Sequence, residues 1–403
     1  MIACRFGKVL SVTGSRPGLT EILVEIEGRK EKAINYDGIT GRVAVGDIVR
    51  LNTTAVWKRL GTGGFHFVMA VDQSIPPDPP SDGHIMKLRY TPLQVKVHSV
   101  EEEDHPGNHL YRSVNSLGNT PVLVGTLHSM VAPAAAAIKH FAGHDTSIFY
   151  LMTDGAALPI SISGLVHDLK TKGLLDGTVT CGHSFGGDFE AINIYSGLLW
   201  ARAAGADAIL VSMGPGIVGS ASEYGHTALE QGEIINAVNI LEGRAIAIPR
   251  ISFADARKRH FGLSHHTRTA LGKVALTGCT IPVPALKGRK RSVIYGHFKE
   301  SGILDRHKVV EVDTVSIKDV MESYGLSVTT MGRTFSQDPE FFETAGAAGI
   351  YAAALLQAGA DEAPDRDVTG RSGLRPKKNN QLRGTAGKKE TFSGKIQSHF
   401  ISP

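Results

Sequence analysis

The sequence predicts an α/β protein. A small N-terminal β-barrel-like domain precedes a doubly wound, mostly parallel, Rossmann-like sheet domain. Three observations predict this. Short, partly alternating segments about ten residues apart fill residues 1–73. Four prolines then fall within residues 74–83, SIPPDPPSDG, which no helix or sheet interior tolerates. Beyond them, apolar runs alternate with helical stretches, as βαβ units require.

Strands of the first region are expected at 8–13, 21–26, 42–45, 47–51 and 66–71, with a turn at Val45-Gly46-Asp47. Such spacing without a convincing helix suits a small barrel or sandwich. The domain limits follow as 1–75, 84–357 and a tail at 358–403.

In the second domain, apolar runs at 122–127, 147–152, 178–181, 208–212 and 244–248 start 25 to 36 residues apart. They read as parallel strands covered on both faces. Helices are expected between them at 131–141, 164–175, 189–204 and 228–241. Ser129 and Asp188 suit N-caps, while Gly143, Gly205 and Gly243 stand where helices end. Further elements are expected at 308–312 and 327–330. A last helix opens on Asp338-Pro339-Glu340, a cap, an N1 proline and a first-turn acid, and runs to about 357. Residues 359–403 carry few large apolar side chains and are expected to be disordered.

The chain has 403 residues and a net charge of +4. Residues 361–403 hold nine Lys/Arg against five Asp/Glu, so the excess belongs to the tail. A neutral body excludes a nucleic-acid-binding body and leaves at most weak contact through the tail. Three scattered cysteines (Cys4, Cys181, Cys279) form no CxxC and no disulfide framework, which suits a reducing cytoplasm. No apolar run approaches ~18 residues, and the N-terminal residues have no signal-peptide core, so no membrane association is expected.

In an open α/β sheet the working loops follow the carboxyl ends of the strands. Five such loops gather His, Asp, Ser and Gly. Asp154, His183, Asp188, His265 and His266 are the candidates for acid–base or metal chemistry. With His128 and Glu190 they offer imidazole and carboxylate ligands suited to zinc, iron or manganese, although adjacent histidines rarely share one ion. Gly214-Pro215-Gly216-Ile217-Val218-Gly219 follows a strand and allows close backbone approach to an anion, so Gly214, Gly216 and Gly219 are candidate ligand contacts. Lys87 and Arg89, two apart on one strand face, are candidates for the same anion. Gly182-His183-Ser184-Phe185-Gly186 fits a nucleophile elbow, with Asp255 and His260, His265 or His266 downstream as triad partners. Its bland alternative is a glycine-permitted turn. Cys181 reads as a buried strand cysteine, or as a thiol activated by a helix N-terminus. Glu230, Glu233 and Asn236 read as a polar helix face.

Five motifs in order carry a resemblance. They are His84-Ile85-Met86-Lys87-Leu88-Arg89-Tyr90-Thr91-Pro92, Asp154-Gly155-Ala156-Ala157-Leu158-Pro159, Cys181-Gly182-His183 with Phe185-Gly186-Gly187-Asp188, the 213–219 loop, and Ser264-His265-His266-Thr267. Over residues 1–356 the chain resembles the domain-of-unknown-function 3866 family. The resemblance implies a bacterial cytoplasmic protein and carries over no catalytic residue and no cofactor.

The expected function is a small-molecule enzyme or ligand-binding protein with an anionic or phosphorylated ligand at the strand carboxyl ends, in a chain able to form homo-oligomers. The alternatives are a non-catalytic regulatory or assembly module built on the barrel, and a serine hydrolase using Ser184.

Overall fold

The computed structural model describes residues 2–72, 78 and 81–358. The expected disordered tail and most of the proline-rich segment lie outside the described residues.

Strands β1 (Cys4–Arg16), β2 (Leu19–Ile26), β3 (Arg29–Asn35), β4 (Ile48–Asn52) and β5 (Phe65–Val71) form a closed barrel in the order β1-β2-β3-β5-β4. Alternate residues point inward, and Val9, Ile22, Val24, Ala33, Val49, Leu51 and Val68 fill the interior. Glu27 and Gly28 both have positive φ, 50° and 79°, which suits a two-residue hairpin between twisted strands. β3 departs from the expected pattern. Lys30 and Lys32 are exposed, half-buried Glu31 pairs with the buried His66 ring, and full burial begins only at Ala33, so no apolar alternation marks it. Residues 42–45, expected as a strand, are loop, with the Ala44 amide held by the Asp47 carboxylate at 2.8 Å.

A hairpin of β6 (Ile85–Lys87) and β7 (Val95–Val97) leads into an eight-stranded sheet. Its strands are β8 (Pro121–Val124), β9 (Ile148–Thr153), β10 (Gly177–Cys181), β11 (Phe189–Ala191), β12 (Ala208–Met213), β13 (Arg244–Ala247), β16 (Thr280–Pro284) and β17 (Lys308–Val312). Between the last groups lies a ribbon of β14 (Ile251–Ser252) and β15 (Gly262–Leu263). The sheet order is β11-β10-β9-β12-β8-β13-β16-β17, and every pairing is parallel. β8, β9, β10 and β12 are buried at every residue, which explains the near-continuous apolar runs of β8, β9 and β12; β10 carries Thr178 and Thr180, whose hydroxyls bond to Asp188 and Glu190.

Helices Val131–Ala142 and Gly164–Thr171, which follow β8 and β9, pack on one face with Ile317–Ser323 and Pro339–Ala358. Helices Ile194–Ala203, Glu230–Ile240 and Gly288–Glu300 cover the other. From β8 the chain winds one way through β9 and β10; from β12 it winds the other way through β13 and β16. Right-handed crossovers require the helices to change face when the direction reverses. The reversal opens a crevice at the carboxyl ends of β8 and β12, the usual ligand position in such sheets.

Several expected elements shift. The expected helix at 189–204 divides into β11 and the helix Ile194–Ala203, capped by Asn193 rather than Asp188. Ser129 lies inside a 3-10 turn, His128–Met130, and makes no capping bond. Residues 327–330 are not a strand; only Thr330 makes a bridge, to Arg333. β16 escapes detection because Pro282 and Pro284 contradict an interior strand. It tolerates them because its pairing with β13 is confined to Ile246 and Thr280, before either proline. Among the described residues no helix is long and apolar enough to cross a membrane.

Candidate functional site

The crevice between β8 and β12 is a cleft of about 650 Å³. Residues 127–129, after β8, form one wall and residues 213–217, after β12, the other. Residues 164–165 and 327–331 close the sides, and Gly61 of the barrel reaches the rim. Gly214 and Gly216 line it, as expected from the loop. Gly214 has no room for a side chain, since a Cβ would stand 2.6 Å from the Ala157 carbonyl oxygen. Gly216 needs its φ of +112°.

His128 lines this cleft. Its Nδ1 lies 3.0 Å from the Tyr150 hydroxyl and its Nε2 2.6 Å from Ser163 Oγ. Ser163 caps the helix Gly164–Thr171 by accepting from the Val166 amide, so its own proton is free to point at His128. Burial pulls the His128 pKa down to about 4, and the imidazole is neutral at ordinary pH. Among the described lining residues Asp168 is the sole formal charge.

Asp154 and His183 come together beside the cleft strands. The His183 amide donates to Asp154 Oδ2 at 2.9 Å, and Gly182 must lack a side chain because a Cβ would meet that oxygen at 2.2 Å. His183 Nδ1 accepts from the Leu88 amide at 2.9 Å, and Arg89 lies 3.5 Å from Nε2. Lys87 does not share a face with Arg89, because the strand ends there and Leu88 turns to φ +52°. The Lys87 ammonium is buried and saturated by the Thr180 and Ser184 carbonyls, at 2.9 and 2.6 Å, and by Glu190 at 2.7 Å. It clamps the hairpin to the sheet edge and offers no donor to a ligand. Asp188 accepts from the Thr178 amide and hydroxyl and from Lys170, closing the β10–β11 turn.

Ser184 is fully buried, and its hydroxyl donates to the Leu158 carbonyl at 2.8 Å. A nucleophile elbow requires an exposed hydroxyl and a following helix; here a strand follows. Asp255 is bound to Arg250 and Arg257 instead of a histidine. Burial pushes the Cys181 thiol up to about 12, opposite to an activated thiolate.

His265 and His266 do not join Asp154 and His183: among the described residues no hydrogen bond or ring contact links the two groups. They meet His226 and His260. Ser264 caps the helix His265–Thr269, and its hydroxyl also holds His260 Nδ1 at 2.7 Å. A loop closed by the Thr227 amide on the Val218 carbonyl, at 2.9 Å, brings His226 against Gly219. Ring centroids are 4.1 Å apart for His226–His266 and 4.4 Å for His265–His266. Burial lowers the basicity of all four rings, His260 to about 3 and His266 to about 2. His226 lies about forty residues from the 265–266 pair, and only the loop brings them together, so spacing could not reveal it.

Glu230 is a further group that the sequence reading passed over as surface. Both its oxygens accept from Thr153 Oγ1 at 2.9 Å, and burial pushes its pKa up to about 7.

A model of the family described as "Protein of unknown function (DUF3866)" matches residues 32–349. Comparison with curated proteins and with solved structures returns no match.

Proposed function

The chain belongs to the domain-of-unknown-function 3866 family, and we propose that its function is to bind, as an enzyme or a binding protein, a small molecule bearing an anionic group in the cleft between β8 and β12. One observation carries this: the 650 Å³ cleft coincides with the point where the winding of the sheet reverses. Helices Val131–Ala142, through its 3-10 turn, and Gly164–Thr171 both begin at the cleft, because each follows the carboxyl end of its strand. Their amino ends favour negative charge. The glycines of the 214–216 loop permit close main-chain approach. With no basic side chain among the described lining residues, main-chain N–H groups receive the anion, while neutral His128, its two nitrogens held by Tyr150 and Ser163, fixes the wall between them.

A second reading draws on the barrel. Phe6 and Ile48 are exposed on its outer face, where β1 pairs with β4, and they suit an assembly surface. Against an independent module, Gly61 reaches the cleft rim and Arg16 grips the segment before Ser163. A cytoplasmic location belongs to the same proposal, on the ground of three unpaired cysteines.

A thermal-shift panel of nucleotides, phosphosugars and carboxylates tests the cleft. At a hundred times its Kd a binder stabilises by ~2.7 kcal/mol. Thr329→Trp, on an exposed part of the wall, should abolish the shift and leave the ligand-free midpoint unchanged. A shift that survives Thr329→Trp contradicts the proposal.

A further inference from the structure

We infer that His226, His265 and His266 form a site for one divalent first-row transition ion of the zinc class, with a fourth position open to water or a ligand. This does not rest on the reading of the cleft.

The ligand atoms of the three rings all lie within 4.8 Å of one another. A tetrahedral ion ~2.0–2.1 Å from each nitrogen holds ligand pairs roughly 3.4 Å apart. Small ring rotations close that gap. The rings also need a partner. Both nitrogens of His226, both of His265, and Nδ1 of His266 are buried without a hydrogen bond among the described residues. Buried polar atoms are nearly always paired, and a neutral imidazole has a single N–H to turn toward a carbonyl, so the lone-pair nitrogens of the three rings still call for a missing bound group. Packing alone does not account for them, since an aromatic hydrocarbon ring would stack as well with nothing left unpaired.

The surroundings fit a ligand set. Gly219 faces the cluster, and a Cβ there would stand 2.8 Å from His266 Nε2. Main-chain carbonyls of Glu223 face His226, and those of Arg259 and Ser220 face His265. Metal-bound imidazoles commonly donate their second N–H to such carbonyls. Arg250 also faces the cluster, but its charge is paired with Asp255 at 3.0 Å. His265 is half-buried while His226 and His266 are buried, and both His265 nitrogens are covered, so the set is enclosed and an ion enters by movement of the His265 ring. An all-imidazole set suits Zn²⁺, Co²⁺, Ni²⁺ or Cu²⁺ over Mg²⁺ or Ca²⁺, which prefer oxygen. The adjacency of His265 and His266 is no obstacle, because the helix start sets their ring centroids 4.4 Å apart on one side of the loop.

The test uses the full chain, treated with chelator and reloaded with Zn²⁺ or Co²⁺. One ion per chain and the visible absorption of nitrogen-ligated, low-coordinate Co²⁺ are expected, undiminished by excess Mg²⁺. His226→Ala with His265→Ala should weaken Zn²⁺ binding by more than ~100-fold and remove the Co²⁺ band. Gly219→Ala, which keeps every ligand, should also weaken binding by crowding His266. Circular dichroism and the metal-free unfolding midpoint report folding. Should the double variant not fold, X-ray absorption on the zinc-loaded wild type decides. An imidazole-nitrogen shell supports the site, and a thiolate or all-oxygen shell overturns it. A folded wild type that binds no ion, or a folded double variant that keeps the band, also overturns it. Small-molecule thermal shifts that persist in metal-stripped protein leave the cleft standing whichever way this falls.

Discussion

Arg16 of the barrel donates from Nε to the main-chain carbonyl of Ser161 at 2.8 Å. Its Nη2 reaches the Ile162 carbonyl at 3.1 Å, and Glu21 holds Nη1 at 2.9 Å. The next residue is Ser163, whose hydroxyl meets His128 in the cleft. The barrel therefore braces the segment that positions His128, a role that no motif in its sequence announces.

Arg16→Ala should loosen that brace. Two charge-assisted bonds to carbonyls are lost from a partly exposed site, so the cost is about 1–2 kcal/mol. Urea unfolding measures it. Affinity for a cleft ligand should fall with it, and Arg16→Lys should restore part of both. Unchanged affinity would detach the barrel from the site.

Glu230 makes stability depend on pH. Its folded pKa is raised to about 7 from 4.5. The native state therefore holds the proton more tightly, and the contribution is complete below pH 4.5. It is lost as pH rises through about 7. Glu230→Gln stays neutral throughout. Relative to the wild type it should gain stability across this window, by on the order of 3 kcal/mol above pH 7. A difference independent of pH contradicts the assignment.

Gly349 and Gly296 should respond in opposite senses to alanine. A Cβ at Gly349 would stand 2.4 Å from the Ala134 carbonyl oxygen, between the alanine-rich helices Val131–Ala142 and Pro339–Ala358. Overpacking there should cost about 1–3 kcal/mol despite better helix propensity. Gly296 has open space beyond it, and Gly296→Ala should stabilise by about 0.5–1 kcal/mol. Equal effects would show that the two helices do not pack this closely.

Ser184→Ala should cost about 1–2 kcal/mol, the loss of a buried hydrogen bond to Leu158. A fluorophosphonate should leave the folded wild type unlabelled at Ser184. Labelling there would revive the hydrolase reading.

The sheet was legible because strands buried on both faces are near-continuously apolar, as 148–152 and 208–211 are. Asp338-Pro339-Glu340 marked the last helix to within a residue, although Asp338 spends its carboxylate on Ser252 and Arg333. β3 and β16 were hidden, the first by Lys30, Glu31 and Lys32, which break any apolar alternation, the second by prolines that only its short pairing with β13 permits. For the site, the rule of strand carboxyl ends pointed to the edge where the cleft lies, and Gly214 and Gly216 line that cleft. Sequence could not divide that edge. Asp154 with His183, and His265 with His266, fall into separate groups because loop closure at Gly219 and His226 decides which rings meet. Lys87 looked like a ligand contact because its three acceptors come from residues 93 or more positions away.

Hydrogen exchange with and without a ligand found by thermal shift tests the central claim most directly. Protection should concentrate in residues 127–131, 164–168 and 213–217, the two walls and the helix start between them. Protection confined to the barrel strands, or none in these segments at saturating ligand, would contradict a ligand site at the reversal of the sheet.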